Sequence, residues 1–182
     1  MGLFGSSTTP LAPGAEAPDF ELEDQHGQPL RLSTLRGKKV ILFFYPKDNT
    51  PVCTKESCQF RDEYADLVGQ GAEVVGVSND SVASHKGFAA KHRLQYRLLA
   101  DREGAVRAQY GVSGGLMPGR VTFVIDREGI IRHIETARFS ASRHVEGAKA
   151  AVAELVRQVE AGLASGGAAP RARKAKVGPG GA

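Results

Sequence analysis

Val40-Ile41-Leu42-Phe43-Phe44-Tyr45 is apolar at every position, and this run constrains the fold more than any other stretch. Alternation with polar residues would mark a strand with one wet face. An unbroken short run flanked by charge and proline predicts a strand buried on both faces, which needs a layer of structure on each side of its sheet. Pro46 and Pro51 then bracket a turn through Asp48, Asn49 and Thr50. Thr50-Pro51 predicts a helix start, because Thr is a good N-cap and Pro is tolerated at the first helical position. Cys53, Ser57, Phe60, Tyr64 and Leu67/Val68 follow at helical spacing.

With Thr50 as N-cap, Cys53 is the third helical residue. The first turn carries unsatisfied backbone N–H groups and the positive end of the helix dipole. Both favour a thiolate, the nucleophilic form of the side chain, over a thiol. The Thr50 hydroxyl, three residues away, is expected in the same pocket. Cys58 is the other of the two cysteines in the chain. Five residues along an intact helix place it about 7.5 Å further up the axis and rotated by roughly 140°. A disulfide needs Cα atoms within about 7 Å and converging Cβ vectors. The spacing argues against a structural disulfide and leaves open a switchable one that forms when the first turn unwinds.

The remaining chain supplies the other layers. Ala17–Leu22 and Pro29–Leu32 read as a hairpin around Asp24–Gln28, and Ser33–Arg36 as a short helical turn. Gly69-Gln70-Gly71 ends the cysteine helix. Glu73–Ser78 is a second apolar strand, and Asn79, Asp80 and Ser81 cap a helix over 82–92 with Val82, Phe88 and Ala89 inward. A short strand over 96–99, a short helix opened by Asp101 and running to Tyr110, and a Gly-rich loop over 112–119 follow. Val121–Asp126 and Ile130–Glu135 form a hairpin. A last helix over 142–161 places Val145, Ala148, Val152, Leu155, Val156 and Val159 on one face. This order predicts an α/β sandwich around a mixed sheet, with crossover helices between its parallel strands. In such sheets the site lies at the carboxyl ends of the parallel strands, here the turn after Tyr45. Residues 1–15 read as a flexible leader and 162–182 as a disordered Gly/Ala/Pro tail.

PKDNTPVCTKESC resembles the active-site signature of the peroxiredoxins, Pro-x-x-x-Thr-x-x-Cys, with Pro46, Thr50 and Cys53 in the matching positions. The second cysteine at C-x-x-x-x-C spacing is similar to the Q-type, or bacterioferritin-comigratory, subfamily. Arg120-Val121-Thr122-Phe123 resembles the context in which a family arginine reaches the active site. The likeness runs from about Ala17 to Gln158. It implies a thioredoxin-like three-layer α/β sandwich with a central mixed sheet and an N-terminal hairpin. It further implies a thiol peroxidase acting on hydrogen peroxide or organic hydroperoxides. Cys53 would be peroxidatic, Cys58 resolving, and Thr50, Arg120 and Pro46 would shape the site, with Glu56 pairing an arginine in support. A thioredoxin or similar dithiol protein would reduce the Cys53–Cys58 disulfide, and the protein would be a monomer or weak homodimer.

Composition narrows the alternatives. The length of 182 residues suits one domain with tails. Four of the 24 basic residues, Arg171, Arg173, Lys174 and Lys176, lie in the tail, leaving 20 against 20 acidic ones. A neutral body offers no footprint for nucleic acid. No run approaches the ~18 apolar residues of a membrane span. Two cysteines without a signal-peptide pattern point to a reducing, cytoplasmic setting. The five histidines show no zinc-ligand spacing with the cysteines, so no metal or other cofactor is expected. Lack of C-x-x-C counts against a general disulfide oxidoreductase. A redox-sensing binding protein would share the same cysteines and differ by reacting once without turnover.

Overall fold

The computed structural model describes residues 10–112 and 119–165. Its elements in order are β1 (Glu21–Glu23), β2 (Pro29–Arg31), β3 (Lys39–Phe44), α1 (Pro51–Gly69), β4 (Ala72–Ser78), α2 (Val82–His92), β5 (Arg97–Ala100), α3 (Ala105–Gln109), β6 (Val121–Ile125), β7 (Ile131–Glu135) and α4 (Ala141–Ser165), with a 3-10 turn at Leu32–Leu35. β1 and β2 pair as a separate antiparallel hairpin. The main sheet has the order β5-β4-β3-β6-β7. β4 runs parallel to β3 and β5, whereas β6 runs antiparallel to β3 and β7.

The unbroken apolar run is β3, the central strand, and every one of its residues is buried. Its side chains alternate between two cores. Ile41, Phe43 and Tyr45 face Phe60 and Leu67 of α1, Phe88 of α2, and Val145, Ala148 and Val152 of α4. Val40, Leu42 and Phe44 face Phe20 and Leu30 of the hairpin segment and Val106 and Tyr110 around α3. Each large side chain buried this way contributes about 1.5–3 kcal/mol, so the strand is fixed from both sides. Phe43 stacks on Phe60 at 4.8 Å between ring centroids. The Phe43 ring also lies over Gly76, where an added Cβ would meet it at 2.8 Å. The neighbouring strand must be bare at that point.

Several boundaries differ from the sequence expectation. Within the expected leader over 1–15, Leu11 packs on the hairpin-side core, and Gly14 N–H donates to Ile131 O at 2.7 Å. Glu16 and Ile130 form an isolated bridge, so this segment joins the edge of β7. The expectation for residues 1–9 lies outside the described residues. α4 continues to Ser165, four residues past the expected end, and carries the exposed Gly162 within it. Residues 166–182, with the basic cluster, and residues 113–118 of the Gly-rich loop lie outside the described residues. On α2 the inward set is His85, Phe88 and Ala89, with Val82 only half-buried. Val68 and Val159 are exposed, since the faces of α1 and α4 turn away from the sheet there.

Candidate active site

The turn after β3 is shaped by one residue in left-handed backbone. Asn49 has φ 62°, a region that Asn tolerates better than other non-glycine residues. Thr50 is extended and Pro51 opens α1. Thr50 occupies the N-cap position, yet its hydroxyl donates to Lys47 O at 2.8 Å and makes no capping bond to the helix. The expected side-chain cap is thus replaced by a bond that closes the turn. The helix-start amides stay uncapped by the Thr50 side chain.

Cys53 is 1% exposed, at the floor of a cleft of about 160 Å³ lined by Pro46, Thr50, Pro51, Val52, Arg120, Arg138 and Phe139. Arg120, just before β6, donates from Nη2 to Cys53 Sγ at 3.0 Å. Its Nη1 bonds to Glu56 Oε2, one turn along α1 from Cys53. Its Nε donates to Arg138 O at 3.3 Å. One guanidinium therefore joins the sulfur, the helix and the loop that forms the opposite wall. Burial works against the Arg120 charge, but Glu56 and Cys53 more than offset it and hold the pKa above its ordinary range. Glu56 is 0% exposed, and its Oε1 has no hydrogen-bond partner among the described residues. Burial pushes the Glu56 carboxyl up to about 7, against the downward pull of Arg120.

The wall carrying Arg138 and Phe139 is fixed from beneath. His144 Nε2–H donates to Ala137 O at 2.6 Å, while its Nδ1 accepts from the Thr122 hydroxyl at 2.8 Å. Burial lowers the His144 pKa, in keeping with a neutral ring in this pattern. Phe139 itself is 77% exposed over the mouth of the cleft.

Behind the turn lies a second buried network. The Tyr45 hydroxyl donates to Asp48 Oδ1 at 2.6 Å. Asp48 Oδ2 meets His85 Nδ1 at 2.8 Å and accepts from the Ser84 hydroxyl at 2.8 Å. His85 Nε2 donates to Leu99 O at 3.0 Å. Asp80 Oδ2 accepts from Asp48 N–H at 2.9 Å and from Ser78 Oγ at 2.5 Å. Burial raises the Asp48 carboxyl, but the hydrogen bond and charge of His85, with Tyr45 and Ser84, outweigh it and hold the pKa below its ordinary range. Asp48, Asp80 and His85 place one ligand atom each within 4.8 Å of one another. Hydrogen bonds within the chain already engage all three, so the cluster is a clamp between the turn and α2.

Pro46, Thr50, Cys53 and Arg120 thus converge on one cleft, with Glu56 behind them. Cys58 does not join them. Both cysteines are free thiols on one intact helix, and Cys58 is half-buried beside Arg61 and Tyr96. The sequence reading passed over Arg107, Arg138, Phe139, His144 and the Asp48–His85 pair. Only His85 left a trace in the sequence, a polar residue three before Phe88 on the inward face of α2.

A profile of the AhpC/TSA family matches residues 13–134. Chloroplastic peroxiredoxin Q of Triticum aestivum is similar at 44% identity over 138 residues, covering 74% of this chain and 64% of that protein. Chloroplastic peroxiredoxin Q of Arabidopsis thaliana is similar at 47% identity over 136 residues, covering 73% of this chain and 63% of that protein. The chain thus spans less than two thirds of the length of either plant relative. Peroxidoxin BcpB from Mycobacterium tuberculosis superimposes with a TM-score of 0.76 at 42% identity, covering 80% of this chain and 98% of that one. A bacterioferritin comigratory protein from Xanthomonas campestris, solved as trapped intermediate and ligand complexes that bear on its alkyl peroxide reduction, superimposes with a TM-score of 0.73 at 28% identity, covering 80% and 98%. On the fold, the signature and these likenesses together, the chain belongs to the AhpC/TSA family, in its peroxiredoxin Q branch.

Proposed function

We propose that this chain is a thiol-dependent peroxidase that reduces hydrogen peroxide and small organic hydroperoxides, with Cys53 as the peroxidatic residue. The observation that carries this reading is the 3.0 Å approach of Arg120 Nη2 to Cys53 Sγ at the floor of the cleft. A fixed cation there stabilises the attacking thiolate and then the negative charge that develops on the peroxide oxygens. The thiolate attacks the terminal oxygen of R–O–O–H. The S–O bond forms as the O–O bond breaks, and the leaving RO⁻ takes a proton to become ROH. Cys53 is left as a sulfenic acid. Thr50, which lines the cleft, and the first-turn amides orient the peroxide, while Pro46 excludes water. The largely apolar lining and Phe139 at its mouth suit an alkyl substituent on the peroxide.

Cys58 then attacks the Cys53 sulfur, forming the disulfide and releasing the sulfenic oxygen as water. Both residues lie within α1, so this step requires the helix start to unwind. A dithiol protein, thioredoxin or similar, returns both thiols by exchange. A cytoplasmic setting with such a reductant, and a monomer or weak homodimer, complete the proposal.

Intact mass after one equivalent of hydrogen peroxide tests it. The expected results are loss of two hydrogens in the wild type, one added oxygen in Cys58→Ser, and no rapid change in Cys53→Ser. A dimer linked through Cys53 in Cys58→Ser would reassign only the resolving role. A wild type that stays unmodified under conditions where a control peroxiredoxin reacts would overturn the reading.

A further inference from the structure

The molecule holds a second buried arginine close to the cleft. Arg107 lies on α3 and is 3% exposed, yet among the described residues no carboxylate forms an ion pair with it. Its side-chain hydrogen bonds among the described residues go to neutral oxygens: Nη2 to Tyr45 O at 2.6 Å, Nη1 to Gly119 O at 2.8 Å, and Nε to Asn79 Oδ1 at 3.0 Å. The guanidinium carbon also sits 5.8 Å from the centroid of the Phe44 ring. Burying a cation against neutral acceptors is costly, and the three acceptors show what it holds together. Tyr45 immediately precedes Pro46, Gly119 immediately precedes Arg120, and Asn79 follows β4.

The backbone closes the arrangement into a ring. Val112 N–H donates to Arg107 O at 3.0 Å, and Gly119 N–H donates to Val112 O at 3.2 Å. Gly119 O accepts from the Arg107 side chain. A Cβ on Gly119 would lie 2.8 Å from Val112 O, so only glycine permits this approach. Arg107 is itself anchored, since Asp101 accepts from its backbone N–H at 2.8 Å and from that of Val106 at 3.3 Å. The β3–β6 register, Phe44 opposite Val121, brings Tyr45 opposite Arg120. Arg107 thereby bridges the ends of the two strands that deliver Pro46 and Arg120 to the cleft. Burial lowers its pKa, while the charges of Asp101 and Cys53 act in the opposite sense.

We infer that Arg107 is a positioning residue for the peroxide reaction, holding Arg120 and Pro46 in register with Cys53 through the carbonyls of Gly119 and Tyr45. This deepens the peroxidase proposal and rests on it. Arg107 touches neither the sulfur nor the peroxide in this role. Its loss shifts the neighbour that does touch them, and a displacement of about 1 Å can cost about 100-fold in rate.

The test compares Arg107→Ala and Asn79→Ala in a Cys58→Ser background, so that only the first chemical step is observed. Two rates are measured at one pH: oxidation of Cys53 by hydrogen peroxide and its alkylation by iodoacetamide, which needs no peroxide alignment. Arg107→Ala is expected to slow oxidation about 30- to 100-fold and alkylation by less than about 3-fold. Guanidinium at low millimolar concentration should restore part of the oxidation rate. Asn79→Ala removes one of the three anchors without emptying the site, and is expected to slow oxidation about 3- to 10-fold. It decides the question if Arg107→Ala does not fold. Equal losses in both rates, or none in either variant, would overturn the inference. A parent protein that alkylates but fails to react with peroxide would instead overturn the peroxidase reading, and this role with it.

Discussion

The Cys53 sulfur and the Arg120 guanidinium are 3.0 Å apart although 67 residues separate them. The same guanidinium reaches back to Glu56, so α1 is gripped at two successive inward positions by one side chain from the β6 end. If this contact serves the peroxide step, Arg120→Ala should slow oxidation of Cys53 by about 100- to 1,000-fold, in line with removing a preorganised donor from a buried site. Stopped-flow kinetics with hydrogen peroxide would measure it. Arg120→Lys should recover little, because a single ammonium cannot serve the sulfur, Glu56 and Arg138 O together.

Glu56 makes stability depend on pH in a direction opposite to most carboxylates. Its pKa rises from 4.5 to about 7 on burial, so the folded state binds the proton more tightly than the unfolded chain. The contribution is complete below the unfolded value and is lost as the pH rises through the folded one. Between about pH 5 and 8, unfolding free energy measured in urea should fall in the wild type by an amount on the order of 3 kcal/mol relative to Glu56→Gln. Parallel curves for the two proteins would refute this.

Asp48 has the reverse sign. Its folded pKa is depressed, so its contribution is present above the ordinary value of 3.8 and is lost as the pH falls through the folded value. Asp48→Asn removes the carboxylate that Tyr45, Ser84 and His85 share and should cost about 1–3 kcal/mol at pH 7. Thermal or urea denaturation gives the number. The difference from wild type should narrow on acidification.

Disulfide formation should leave a local signature in the backbone. Oxidised protein is expected to show faster amide hydrogen exchange over residues 51–58 than the reduced form, with β3 unchanged. Cys58→Ser, treated identically, should keep the reduced pattern. Unaltered protection in the oxidised wild type would show that the two cysteines bond to other partners.

Phe139 lies at the mouth of a largely apolar cleft. Phe139→Ala should lower kcat/KM for a bulky organic hydroperoxide by about 3- to 10-fold, the range expected for losing apolar contact, and leave that for hydrogen peroxide within about 2-fold. Equal effects on both substrates would mean that Phe139 makes no contact with the alkyl group.

The parts of this protein governed by local rules were legible in its sequence. The apolar run became the central buried strand, Pro51 opened the helix, and Cys53 became its third residue. The chain order of strands and helices was enough for the mixed sheet and its three layers. What escaped were side chains whose roles come from the packed fold. Arg107 is an arginine in a short helical pattern, and only the meeting of β3, β4 and β6 gives it three carbonyl-type acceptors. Asp48 and Asp80 read as turn and cap residues because those are the ordinary uses of Asp beside Pro and Ser. The burial of Asp48 depends on α2 returning over the turn with Ser84 and His85. Thr50 had two competing local partners, the helix amides and the Lys47 carbonyl, and no sequence rule separates them.

In the proposed cycle, placing both cysteines on one helix would make the fate of an oxidised Cys53 a race. A sulfenic acid can meet either Cys58, after α1 unwinds, or a second peroxide that carries it to the sulfinic state. The first outcome would be paced by how often the start of α1 comes loose from Arg120, which holds Cys53 and Glu56, and the second by the peroxide concentration. Buried anchoring at Cys53, Glu56, Ser57 and Phe60 would then act as a timer. The tighter that grip, the lower the dose of oxidant at which the protein ceases to recover.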